Sequence, residues 1–185
     1  MAFLAQLWLP ILVSAVLVFV ASTLIHMVIQ WHKADYRGFG NEDAVRAAIR
    51  AADAAPGQYM IPHCAEMKNM QSPEMQKKFE EGPIAIVTLR KPGPPTMGPA
   101  LGMWFAFGLA VAVIAAYIAS RVLPPEASFG QVVRVVGTLS FLAYSGGSVT
   151  SGIWMGKPWP SVAREGLDGL IYGALTGATF AFFWK

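Results

Sequence analysis

The chain has 185 residues, of which 55% are hydrophobic and only 14% charged, with a formal net charge of +3 and a mean hydropathy of +0.46. Soluble domains carry about 25% charged residues, so this composition excludes an ordinary soluble globular domain. The pI of about 9.1 comes with no basic stripe interleaved with aromatics, which argues against a nucleic-acid partner. The single cysteine, Cys64, excludes an intramolecular disulfide framework.

No Asp, Glu, Lys or Arg occurs between Met1 and Gln30, and the apolar run Leu7 to Trp31 is longer than the roughly 20 residues that cross a bilayer as a helix. It also lacks the basic n-region and the short apolar core of a signal peptide. A retained transmembrane helix is expected within residues 1–31. Residues 32–97 then hold nine of the fourteen basic and eight of the eleven acidic residues. In this insertion "NEDAVRAAIRAADAAPG" predicts a helix capped by Asn41, with Glu42 and Asp43 in its first turn. "SPEMQKKFEEG" predicts a second, with Ser72 as cap, Pro73 at the first helical position and Gly82 at the stop. "PIAIVTLR" reads as a strand or extended stretch, and "KPGPPTMGP" as a stiff approach to the membrane. About 65 residues are marginal for an independent core, so Met60, Met67 and Met75 are expected to pack this segment against helices or lipid.

Further transmembrane helices are expected over 98–123, 129–155 and 166–185. The fold class is therefore an all-α membrane protein of four transmembrane helices, with a mixed insertion between the first and second. Lys33, Arg37, Arg90, Lys91, Lys157 and Arg164 flank one set of helix ends, against Arg121 and Lys185 at the other. The positive-inside rule then puts the insertion in the cytoplasm and both termini outside.

Small residues form the most specific pattern. "GLIYGALTG" spaces Gly169, Gly173 and Gly177 by four, a glycine-zipper arrangement, and Gly98 and Gly102 repeat the spacing. Such faces let helix backbones approach closely in lipid, either within the chain or against another subunit. Ser145, Ser148, Thr150 and Ser151 put a polar face on the third helix, suited to helix–helix hydrogen bonding or to lining a pore.

Chemistry is sparser. His63, Cys64, Met67 and Met70 offer imidazole, thiol and thioether donors that suit a soft metal such as Cu(I), with residues 64, 67 and 70 near one face of a helix; methionine as gap filler is the alternative. His26 lies deeper in the first helix than His32. Their six-residue offset puts them on poorly matching faces, so a shared metal is not expected from this helix alone. His32 reads as an interfacial residue beside Trp31 and Lys33. Arg134 and Asp168 are the charges within or near spans. The topology puts them at opposite ends of antiparallel helices, so Arg134 is expected to meet Glu126 or the C-terminal carboxylate, and Asp168 to meet Arg164 or Lys157. No GxSxG, HExxH, P-loop or dinucleotide fingerprint occurs, which weighs against familiar enzymes and leaves the cofactor unknown.

At "WHKADY", "PGQYMIPH", "EEGPIAIVTLRKPGPPTMG" and "GKPWP", followed by a Gly-rich last helix, the chain resembles small bacterial inner-membrane proteins of unassigned function. The resemblance covers most of the chain and implies a bacterial origin, with no activity and no functional residues to carry over. The function expected from the residues is an accessory or assembly subunit of a larger membrane complex, with 53–93 as its docking surface and the bilayer and other membrane subunits as partners. A small transporter or copper-handling protein is the alternative, and a membrane enzyme using His26 or His32 a weaker one.

Overall fold

The computed structural model describes residues 2–184. Four helices in it are long and apolar enough to cross a membrane: Phe3–Ile29, Gly98–Val122, Phe129–Met155 and Trp159–Phe183. The chain divides into two compact units, one made of Met1–Arg37 and Thr96–Lys185 and the other of Gly38–Pro95.

The first unit holds the four spans. The first is α1 (Ala2–Thr23) continued by a π-helical turn over Leu24–Ile29. The chain then reverses at Gln30, which takes the left-handed conformation at φ 55° and ψ 29°, and a 3-10 turn follows over Trp31–Asp35. A positive φ is uncommon away from glycine; the segment that holds it recurs below as the candidate site. The second span is α4 (Gly98–Val122). The third begins at Ser128, whose side chain accepts from the Gln131 N–H while Gln131 accepts from the Ser128 N–H, a reciprocal capping box. It comprises α5 (Phe129–Val132), a second π turn over Val133–Gly137, and α6 (Thr138–Met155), ending on the left-handed Gly156.

The fourth span, α7, starts at Trp159 rather than at the expected 166. Pro158 and Pro160 account for the difference: a proline in the first turn removes no intrahelical hydrogen bond and presets φ. "PSVAREG" is therefore helix, and the Arg164 and Glu165 side chains are displayed from its first turns.

The core runs along the shared axis of these helices. Leu7 and Ile11 of α1 pack on Ala112, Ala115, Ala116 and Ala119 of α4, with Val132, Val136 and Phe180 completing the cluster. Further along, Val18, Ile25 and Tyr172 form a second cluster flanked by Trp104 and Tyr144. Most of the large side chains left exposed on the spans, such as Leu12, Val16, Val20, Phe107 and Ile114, are apolar, as lipid favours.

The third and fourth spans approach most closely. A Cβ on Gly173 would sit 2.8 Å from the Gly137 carbonyl oxygen and 3.0 Å from the Phe141 nitrogen, and one on Gly177 would sit 3.1 Å from backbone atoms of Gly137. At Gly169 the neighbour is the Ser145 Cβ, at 2.7 Å. These three glycines thus face the third span of the same chain. Gly98 and Gly102 differ: nothing lies within 4 Å of a Cβ built on either. The hydroxyls of Ser145, Ser148, Thr150 and Ser151 donate to backbone carbonyls of their own helix.

In the second unit, α2 (Glu42–Ala51) starts at Asn41, whose side chain accepts from the Ala44 N–H, and α3 (Pro73–Glu81) starts at Ser72 and stops at Gly82. "AIVTL" is β2 (Ala85–Leu89), paired antiparallel with β1 (Gly57–Ile61) in the register Gly57↔Leu89 to Ile61↔Ala85. Strand β1 comes from the start of the Met-rich segment, where Tyr59 and Ile61 supply the β-propensity. Of its methionines Met75 is buried, whereas Met60 and Met67 are 52% and 80% exposed. Of these three only Met75 is enclosed by protein.

Candidate functional site

The end of the first span and the start of the fourth come together, and the charges at that end converge on His32. Its Nδ1 lies 2.7 Å from Asp35 Oδ2 and its Nε2 lies 2.8 Å from Asp168 Oδ2. Asp35 is held in turn by the Ser161 hydroxyl at 2.7 Å and by the Arg164 guanidinium. Asp168, which is 5% exposed, accepts from the Trp31 indole N–H at 3.1 Å through its other oxygen. Lys157 pairs with Glu165 at 2.5 Å beside them.

Beside His32 lies His26. The two imidazoles are stacked, with centroids 4.7 Å apart and planes 7° from parallel. Helical spacing predicts the opposite, because six residues along an unbroken α-helix point in different directions. The helix does not stay regular: His26 sits in the π turn, and the left-handed Gln30 folds the next turn back. His32 is accordingly a half-buried network residue just beyond the end of the first span.

The hydrogen bonds fix how each group presents itself. Ser22 O lies 2.9 Å from His26 Nδ1. A carbonyl can only accept, so Nδ1 carries the proton and the neutral ring keeps its lone pair on Nε2. Ser22 is itself anchored to the second span, its hydroxyl accepting from the Trp104 indole at 2.8 Å. Burial works against a charge on His32, but its two carboxylate partners outweigh that and raise its pKa. Burial acts the other way on Asp35, yet the Ser161 hydrogen bond, the His32 contact and Arg164 bring its pKa below the usual carboxylate value. With two carboxylates on its two nitrogens, His32 shares a proton on each side.

One nitrogen each of His26 and His32 and one oxygen of Asp168 lie within 4.8 Å of one another. Each has an outer partner: Ser22 behind His26, Asp35 behind His32 and Trp31 behind Asp168. A carboxylate behind a ligating histidine is the usual second layer of a metal site, setting tautomer and orientation. A tetrahedral ion holds such donors about 3.3 Å apart, so binding requires the exposed His26 ring to turn out of its stack. The ion would replace the proton between His32 Nε2 and Asp168. A cavity of about 330 Å³ opens on His26, His32 and Asp35, lined also by Tyr36, Lys157, Pro158 and Glu165.

Other residues singled out by the sequence fare differently. Asp168 meets His32 and Trp31, not Arg164 or Lys157, because Arg164 turns to Asp35 and Lys157 to Glu165. Arg134 contacts neither Asp168 nor Glu126 among the described residues; the C-terminal carboxylate belongs to Lys185, which lies outside them. His63, Cys64, Met67 and Met70 share no helical face, since only Met67–Asn69 forms a turn, of 3-10 type, and the Cys64 thiol donates to the Glu66 carbonyl at 3.1 Å. Asp35 and Ser161 escaped the sequence reading, as did the bond from Trp31 to Asp168. "WHKAD" does place an acid three residues after a histidine, a spacing that fits one helical turn.

The fold is that of a multi-pass helical membrane protein with a buried histidine–carboxylate network at one end of its bundle. No protein-family model matches the chain, and no curated protein or solved structure is similar to it.

Proposed function

We propose that this protein binds a divalent transition-metal ion, such as Zn²⁺, at the membrane interface through His26, His32 and Asp168. The observation that carries the reading is the set of outer partners: Ser22, Asp35 and Trp31 hold His26, His32 and Asp168 from behind, so that an ion need only replace the proton between His32 Nε2 and Asp168 Oδ2 and draw in the exposed His26 ring. Two imidazoles and one carboxylate suit Zn²⁺ and its neighbours, whereas Cu(I) favours sulfur and Mg²⁺ or Ca²⁺ favour oxygen alone. A three-ligand site leaves a coordination position open, and here the 330 Å³ cavity adjoins it. This moves the metal-handling reading from the His63–Met70 segment to the end of the bundle.

The purified protein is expected to retain zinc, or to bind added Zn²⁺, at one ion per chain by elemental analysis and calorimetry. Cys64→Ser should bind as wild type does. His32→Ala should abolish binding, and Asp35→Asn, which touches no ion, should weaken it by about 10–100-fold. Absence of binding by wild type, or equal binding by His32→Ala, would overturn the assignment.

An accessory role in a membrane complex is the second reading, and the open faces of Gly98 and Gly102 favour it, since Gly169, Gly173 and Gly177 are occupied within the chain. A crosslinking search that recovers no stable partner removes it without touching the metal site. The basic residues Lys33, Lys157 and Arg164 lie at the network's end of the bundle, which supports a cytoplasmic site in a bacterial inner membrane. Cys64, the sole cysteine, lies between the first and second spans. A membrane-impermeant maleimide should therefore label it in inverted vesicles and not in intact cells. Labelling in intact cells would reverse the topology.

A further inference from the structure

The second π turn carries Arg134, as the first carries His26, and single π turns concentrate at functional positions. Arg134 lies in the third span, five residues from its start, with its side chain exposed. Among the described residues no carboxylate pairs with it. The other arginine at this end of the bundle, Arg121, stands 5.6 Å from the centre of the Tyr117 ring.

One turn further along the same face is Thr138, exposed and also without a hydrogen-bond partner for its hydroxyl among the described residues. It shares this with Ser140 and Tyr172, whose hydroxyls are buried, whereas that of Thr138 faces outward. Ser14, Thr23, Ser145, Ser151, Thr176 and Thr179 all donate to a backbone carbonyl three or four residues back. A groove of about 290 Å³ runs beside the pair, between the third and fourth spans. Gly137 and Gly173 are in its lining, with Val133, Phe141, Leu170 and Ala174 supplying apolar walls. The close helix approach that needs the glycines also leaves this shallow channel.

A lone guanidinium in a span, next to a free hydroxyl and an apolar groove, matches one ligand found at that depth. We propose that this groove is a binding site for an anionic phospholipid, whose phosphate accepts hydrogen bonds from Arg134 and Thr138 while an acyl chain lies along Gly137 and Gly173. A guanidinium gives a phosphate two parallel donors, and long cationic side chains reach from a span to the headgroup layer. This site is independent of the histidine network at the other end of the third and fourth spans.

The test is native mass spectrometry of the full chain, exchanged into nanodiscs of mixed phosphatidylglycerol and phosphatidylcholine. Wild type should retain phosphatidylglycerol in preference to phosphatidylcholine. Arg134→Gln should lower that retention about fivefold, the amount expected for one cation at a headgroup, and Thr138→Val should lower it by less. Arg134→Lys should keep most of it, which controls for folding. Arg121→Gln should leave it unchanged. Undiminished retention in Arg134→Gln, or an equal loss in Arg121→Gln, overturns the proposal, the latter because it would mean a diffuse basic belt.

Discussion

Replacing Gly173 by leucine lowers the thermal midpoint of the purified protein by roughly 6–12 °C, as expected for about 3 kcal/mol of lost stability in a chain of this size. The site cannot relax as overpacked cores usually do. A Cβ there meets the Gly137 carbonyl oxygen, the Phe141 nitrogen and the Phe141 Cβ, all within 3.1 Å. Two of these are backbone atoms of the third span, so the clash is relieved only by moving the third and fourth helices apart. That movement would also strip the neighbouring contacts of Gly177 and Gly169. Gly102→Leu is the matched control. Its surroundings are open, and leucine is the better helix former, so its midpoint should stay within about 2 °C of wild type or rise slightly. Thermal unfolding in one detergent compares the two directly. Equal shifts in both variants would mean that the glycine face of the fourth span does not carry the packing described.

Asp168→Ala has the second large effect. Removing one member of a buried, paired charge network destabilises by about 3–5 kcal/mol, because the partner is left desolvated. Here the loss strands the Trp31 indole N–H and one nitrogen of His32, and it releases the 3-10 turn that closes the first span onto the fourth. A midpoint roughly 6–20 °C lower is expected. Asp168→Asn separates structure from ligation. Its amide oxygen can accept from Trp31 while its NH₂ donates to His32 Nε2, with His32 neutral and still donating to Asp35 through Nδ1. Most of the stability should return, yet the anionic metal ligand is gone. Weak zinc binding by a well-folded Asp168→Asn is therefore the expected result. A shift under about 2 °C for Asp168→Ala would show that the network does not tie the two spans together.

The two effects lie at different places along the fourth span, one against the third span and one against the end of the first, and should be nearly additive, since Gly173 shares no partner with Asp168. The proposed metal site also sits where the fold is least regular. A π turn, a left-handed glutamine and a 3-10 turn follow one another from Leu24 to Asp35, and irregular backbone within reach of a membrane is tolerated where side chains and neighbouring helices satisfy it.

How far the sequence alone reached follows from the range over which each signal acts. Uncharged runs longer than a bilayer is thick are a local property, and so are Asn41 before α2, Ser72 and Gly82 around α3, and the β-branched "AIVTL". Each was legible because the residues that decide it are neighbours in the chain. The glycine spacing of the fourth span was likewise local, though its partner was not: that Gly173 meets Gly137, while Gly102 meets nothing, depends on which helices pack. The early start of the fourth span was readable in principle from Pro158 and Pro160, but a turn and a first helical turn use the same residues.

The histidine network lay beyond any such reading. Extrapolating a regular helix through His26 and His32 separates them, and it is the break at Gln30 that stacks them. Asp168 is 136 residues from His32 in the chain, and nothing local to either names the other. Composition and periodicity by themselves determined a four-helix membrane protein, because hydrophobic length is summed along the chain. Only the tertiary structure decided which charges meet, because a desolvated carboxylate takes the partner that packing brings within hydrogen-bond reach, not the one nearest in sequence.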